Sequence, residues 1–117
     1  MTNNELINDF YRKRKECVYL QSLHFYRDPD EDICSKCHLD IVLRYQEDSE
    51  PKLLIHFTDV VDYKSANVCS LMGFEISITD ISDHQWEGIK YRVLEYENEL
   101  LSFYCNSFEV TLCSLYF

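Results

Sequence analysis

The chain has 117 residues, of which 46% are hydrophobic and 15% aromatic, and its formal net charge at pH 7 is −10. This length predicts one domain, spanning residues 1–117, with a sizeable core, and the hydrophobic content excludes a disordered acidic tail. The negative charge disfavours nucleic acid and anionic lipid as partners and favours a basic protein.

No apolar segment of the kind found in signal peptides follows the polar residues 1–5, and no apolar run is long enough to span a membrane. We therefore expect a cytoplasmic protein without a membrane partner. In that compartment the six cysteines are expected to be reduced thiols rather than disulfides.

The segment before Cys17 is predicted to be an α-helix. Thr2 and Glu5 have the spacing of a capping box, and Leu6 and Phe10 lie on one apolar stripe at helical spacing. The basic run at residues 12–15 would fall in the last turn, where the helix dipole favours cations. We interpret this run as a solvated helix end rather than a patch for nucleic acid or membrane.

The rest of the chain has the period-two alternation of apolar residues that is typical of strands. About seven strands are predicted, near residues 17–26, 39–45, 53–60, 72–79, 89–93, 101–105 and 108–113. Residues 62–71 have no clear period and fit either a short helical turn or an irregular crossing. Because the later connections are short, the last four strands are expected to form an antiparallel meander.

The predicted fold is therefore mainly β. We expect an antiparallel sheet or sandwich with the amino-terminal helix packed against it. Exposed sheet edges would also allow a homo-oligomer.

Cys34, Cys37 and His38 have the spacing of a C-x-x-C-H motif. This spacing occurs in covalent haem attachment, in zinc sites and in redox dithiols. The residues that follow alternate like a strand and do not open a helix, as a redox motif requires. Besides Cys34 and Cys37, zinc would need two further ligands. The candidates, which form no second closely spaced pair, are Cys17, His24, His38, His56 and Cys69.

A solvent-facing loop with two spare thiols is therefore our interpretation of the motif. A small zinc or dithiol protein built on Cys34, Cys37 and His38 is the alternative function.

Other motifs for catalysis or cofactors fail on inspection. Residues 28–32 resemble the start of a calcium loop, but Ile33 and Leu39 stand where an EF-hand needs Gly and Glu. The sequence has no nucleophile elbow and no Gly-rich phosphate loop. His24 and His56 lie within strand patterns, where a structural role is more common than a catalytic one. We predict a non-enzyme without a cofactor.

The connection that contains Trp86, the only tryptophan, is the strongest candidate for a binding surface. Residues 80–99 contain six acids and two bases, and residues 28–50 contain eight acids and two bases. Tryptophan and tyrosine are favoured interface anchors, and carboxylates around them can meet Lys or Arg of a partner. The predicted partner-binding residues are Asp80, Asp83, Trp86, Glu87, Tyr91, Glu95, Glu97 and Glu99. The alternative is that Trp86 folds back to cap the core and that the acids are simply solvated.

The stretch from Phe74 to Val110 contains this connection, at residues 80–89, and the strand Leu-Ser-Phe-Tyr-Cys, at residues 101–105. In this stretch the chain resembles small bacterial domains of mostly β structure, which include the immunity proteins of polymorphic-toxin systems. The resemblance implies a cytosolic inhibitor of a co-produced toxin, often a nuclease. It carries over no site residues.

Overall fold

The computed structural model describes residues 2–15, 17–27, 36–45, 51–66, 73–97 and 99–113. Within these ranges the chain forms one α-helix, one short 3-10 helix at Ser82–His84 and eight strands. The helix is α1 (Asn3–Arg14), and the strands are β1 (Tyr19–Arg27), β2 (Cys37–Arg44), β3 (Lys52–Thr58), β4 (Val61–Ser65), β5 (Ile76–Asp80), β6 (Tyr91–Glu95), β7 (Leu101–Cys105) and β8 (Ser107–Cys113).

The strands form two four-stranded sheets in which every pair is antiparallel. The first sheet has the order β1-β2-β3-β8 and the second has the order β4-β7-β6-β5. An isolated bridge between Tyr19 and Gly73 joins the start of β1 to the segment that leads into β5. The predicted mainly β, antiparallel fold with an amino-terminal helix is confirmed.

Two strand connections pass from one sheet directly into the other. β3 continues into β4 through Asp59 and Val60, and β7 continues into β8 through Asn106 alone. Asp59 takes a left-handed backbone conformation with φ 59°, and the Asn106 N–H donates to the Thr58 carbonyl at 3.0 Å. Backbone pairing therefore continues across the bend.

The prediction that the last four strands form a meander is wrong for the fourth of them, β8. β5, β6 and β7 are neighbours in one sheet, but β8 pairs with β3 in the other. A single residue between β7 and β8 leaves no room for a hairpin that would reverse the chain. The strand bends instead and stays beside the β3–β4 segment, with which β7 is already paired.

β4 occupies the start of the stretch that had no clear period. Its pairing with β7 shifts register between Val61 and Lys64, and Asp62 has φ 53°. Such a bulge disturbs the alternation by which a strand is recognised in sequence. The later part of that stretch, residues 67–71, lies outside the described residues.

The core lies between the two sheets and under α1. Phe10 of the helix is fully buried in it, and so are alternate residues of the central strands. The fully buried strand residues include Leu39, Ile41, Leu43, Leu53, Ile55, Phe57, Val93 and Cys105. Burial of such side chains contributes about 1.5–3 kcal/mol each relative to exposure.

α1 contacts both β5 and β8, each of which is an edge strand of its sheet. The hydroxyl of Tyr11 accepts a hydrogen bond from the Ile78 N–H at 3.2 Å, and Lys13 Nζ donates to the Val110 carbonyl at 3.4 Å. The helix thus forms hydrogen bonds with backbone groups of β5 and β8 that would otherwise be unpaired at the edges of the two sheets.

The basic run lies in the last turn of α1, as predicted. Arg14 Nη1 pairs with Glu75 at 2.8 Å, and Arg12 and Lys13 both contact Asp9. Hydrogen bonds from Lys13 and Arg12 lower the pKa of Asp9. Within the described residues, no helix is long and apolar enough to cross a membrane.

Candidate functional site

The connection between β5 and β6 begins with a local cap. The Asp80 side chain accepts the Ser82 N–H at 2.9 Å, and this hydrogen bond lowers the pKa of Asp80. The 3-10 turn that follows ends at Gln85 in the left-handed region, with φ 58°. Gly88 has φ 80°, where a residue without Cβ is favoured. We call residues 82–88 the Trp86 loop.

The base of the Trp86 loop is held on both sides. Ile81 and Ile89 are buried, and the Ile81 N–H donates to the Lys90 carbonyl at 2.8 Å. The Asn106 side-chain amide donates to the Gly88 carbonyl at 2.8 Å. The loop is therefore fastened to the bend between β7 and β8, which limits how far it can move.

Trp86 itself remains accessible, with 44% of its surface exposed. Its ring packs against Tyr104 of β7, with ring centroids 4.9 Å apart. Asp83 and Glu87 of the same loop are also exposed. Within the described part of the chain neither carboxylate forms an ion pair with Lys or Arg; Asp83 contacts only His84, at 3.7 Å. Both can meet an external cation.

Cross-strand register extends this surface over the outer face of the second sheet. Val61 and Arg92 are both paired with Tyr104, one on each neighbouring strand. Arg92 is exposed, and Val61 is 37% exposed. We call the combined surface the Trp86 patch; it consists of Trp86, Tyr104, Val61, Arg92, Asp83 and Glu87.

The sequence prediction missed three members of the patch, Val61, Arg92 and Tyr104. The alternation of β6 and β7 does indicate that Arg92 and Tyr104 face outward. Their position in one cross-strand row with Val61 depends on the strand order, which local patterns do not contain.

The structure separates two of the predicted acidic contacts, Glu97 and Glu99, from the Trp86 loop. Glu97 and Glu99 are exposed, but they follow the end of β6, whereas the Trp86 loop precedes its start. The strand spans about 13 Å at 3.3 Å per residue. Glu97 and Glu99 therefore do not join the Trp86 patch.

Two predicted partner contacts are interior groups. Tyr91 is 1% exposed, and its hydroxyl donates to Asn3 Oδ1 at 2.8 Å; burial raises the pKa of this phenol. Glu95 is also 1% exposed and accepts the backbone N–H groups of Glu75, Glu97 and Leu100. Their assignment as surface contacts is corrected. The sequence did indicate this burial. In the alternation of β6, Tyr91 and Glu95 fall on the same face as Ile89 and Val93, which is the apolar face.

The thiol motif is only partly described. Cys37 and His38 begin β2 and are half-buried, while Cys34 lies outside the described residues, as do Cys69 and residues 28–32. In the part of the chain that the structure describes, no three His, Cys, Asp or Glu side chains are placed to hold a metal ion.

Cys105 is expected to be unreactive in the folded protein. Burial raises the pKa of its thiol to about 12, so the reactive thiolate is scarce near neutral pH. Alkylation with iodoacetamide at pH 8, followed by peptide mass spectrometry, should leave Cys105 unmodified without denaturant and modify it fully in urea. Modification of Cys105 at similar rates in both conditions would contradict this burial.

Three of the histidines form a stack on the outer face of the first sheet. Neighbouring ring centroids are 4.7 Å apart for His24–Tyr26 and 5.2 Å apart for both Tyr26–His38 and His38–His56. Nδ1 of His56 lies 2.5 Å from Asp40 Oδ1. His24 therefore packs at one end of the stack, and His56 packs at the other end beside Asp40.

Residues 1–111 match the family model described as Immunity protein PIM8. The chain belongs to the PIM8 family of immunity proteins. No curated protein and no solved structure matches it. The family match confirms the resemblance to immunity proteins that the sequence showed. Membership of this family implies that the protein binds a partner, such as a toxin.

Proposed function

We propose that this PIM8 protein is a non-catalytic inhibitor that binds a toxin in the cytoplasm and blocks its activity. The observation that carries the proposal is the family match over residues 1–111. The geometry supports the same function, because an inhibitor needs a stable surface with at least one large anchor.

The Trp86 patch has these properties. Trp86 and Tyr104 provide two adjacent aromatic rings, and aromatic side chains are enriched among the residues that dominate binding energy. The buried Ile81 and Ile89 and the Asn106–Gly88 hydrogen bond hold the loop before a partner arrives. Such preorganisation lowers the entropic cost of association.

Charge supports a toxin that is basic where it contacts the Trp86 loop. The chain carries a net charge of −10, and Asp83 and Glu87 are exposed beside the tryptophan. Carboxylates in this position could occupy the phosphate-binding groups of a nuclease, which is the toxin class that we favour. Electrostatic attraction of this kind speeds association and weakens with salt.

Co-expression tests the proposal directly. The product of a neighbouring toxin-like reading frame is induced in a host cell with or without this protein, and growth is followed. We expect growth arrest with the toxin alone, rescue with both proteins, and a stoichiometric complex on size-exclusion chromatography. Arrest that continues in the presence of well-expressed, folded inhibitor would refute the assignment for that toxin.

A further inference from the structure

We propose that the Trp86 patch is a two-signed interface, which binds a toxin surface carrying a basic region opposite Asp83 and Glu87 and a carboxylate opposite Arg92. This inference rests on the proposed function and deepens it. It differs from the expectation of a uniformly basic partner, which the net charge alone favours.

The first observation is the composition of the outer face of the second sheet. One cross-strand row contains Val61, Tyr104, Arg92 and Thr79, and the next contains Lys64, Ser102, Leu94 and Ser77. These eight positions hold two cations and no carboxylate. Apart from the exposed Asp62 in the bulge of β4, these two rows are therefore cationic in a chain whose net charge is −10.

The second observation is that these cations are available. Arg92 and Lys64 are both exposed. Over the described ranges, neither forms an ion pair within the chain, whereas Arg12, Arg14 and Lys36 each do. An exposed guanidinium without an internal partner is suited to two parallel hydrogen bonds with a carboxylate of another protein.

The third observation is that Trp86, the aromatic anchor, adjoins charged residues of both signs. Trp86 packs on Tyr104, the residue paired with Arg92, while Asp83 and Glu87 belong to the same loop as Trp86. A partner that buries the tryptophan thus lies against the acidic loop and close to Arg92. Charge complementarity across such a contact requires both a basic region and a carboxylate around an apolar pocket.

Charge-reversal variants test this inference, because it predicts whether each reversal weakens or strengthens toxin binding. We would measure association with the toxin from the growth assay, by surface plasmon resonance, for Arg92→Glu and for Asp83→Lys. We expect both variants to weaken binding by about tenfold or more, because each places like charges together. Lys15→Glu is the matched control, since Lys15 is exposed at the end of α1 and, like Arg92, forms no ion pair among the described residues; it should bind within about twofold of wild type.

The outcomes are distinct. A uniformly basic toxin surface would make Arg92→Glu bind faster and tighter, and that result overturns the inference while the proposed function stands. Unchanged binding by Arg92→Glu overturns it as well. A wild-type protein that neither binds nor neutralises the toxin overturns the proposed function, and the inference with it. Thermal melts must show that each variant is folded, and Lys64→Glu serves as a second variant if Arg92→Glu is not.

Discussion

Replacing Trp86 by alanine is expected to weaken toxin binding by about 2 kcal/mol or more, which is the range of a dominant interface residue. The physical reason is loss of the largest exposed apolar surface in the Trp86 patch, together with its contact to Tyr104. Because 44% of Trp86 is exposed in the free protein, the fold should remain cooperative. The dissociation constant and rescue of growth measure binding, and a thermal melt measures folding.

Tyr96→Ala is a matched control for this prediction. Tyr96 is also a large exposed aromatic residue, 53% exposed, but it lies past the opposite end of β6 from the Trp86 loop. Its removal should leave toxin binding unchanged. Equal loss of binding in both variants would show that the contact is not centred on Trp86. Unfolding of Trp86→Ala would show that the tryptophan belongs to the core.

Glu95→Gln is expected to lower the free energy of unfolding by about 2–3 kcal/mol, because it disturbs several hydrogen bonds to a buried charged group. Oε2 of Glu95 accepts from the N–H groups of Glu75 and Glu97, and Oε1 accepts from that of Leu100. An amide of the same shape retains one acceptor and turns an NH₂ group toward backbone donors. Urea denaturation at pH 7 measures the loss.

Glu97→Gln makes the same chemical change on an exposed side chain and should leave the stability close to that of wild type. Glu95→Gln that remains folded should still bind the toxin, since Glu95 is buried away from the surface. If Glu95→Gln had wild-type stability but bound the toxin more slowly, this structural role would be contradicted. Such a result would indicate that Glu95 contacts the toxin.

Much of the secondary structure could be predicted because its signals are local. Thr2 caps α1 by accepting the Glu5 N–H at 3.1 Å, as the capping-box spacing indicated. Alternation along β2 and β3 placed Leu39, Ile41 and Ile55 on the buried face. β4 was not recognised, because a bulge and the left-handed Asp62 disturb its alternation.

The candidate site was predicted less completely than the strands that position it. The exposed Asp83 and Glu87 follow from a polar connection between two well-patterned strands, whereas the exposure of Trp86 is decided by the structure, because the sequence equally allowed it to cap the core. The burial of Glu95 was missed because acidic residues are seldom fully buried. Its hydrogen bond to Glu75 spans 20 residues of sequence, and no local pattern shows that such a donor is present.

The β-rich class, the amino-terminal helix and the family can all be recognised from residue order, since capping, alternation and family likeness are properties of that order. Which residues share a surface depends on how distant strands pair. The bend at Asp59 and Asn106 carries β8 away from β7's own sheet and leaves β4 beside β7, so that Val61, Tyr104 and Arg92 form one row. Pairing between distant strands depends on the burial of both sheets at once, and that balance is set by the whole fold rather than by any one segment.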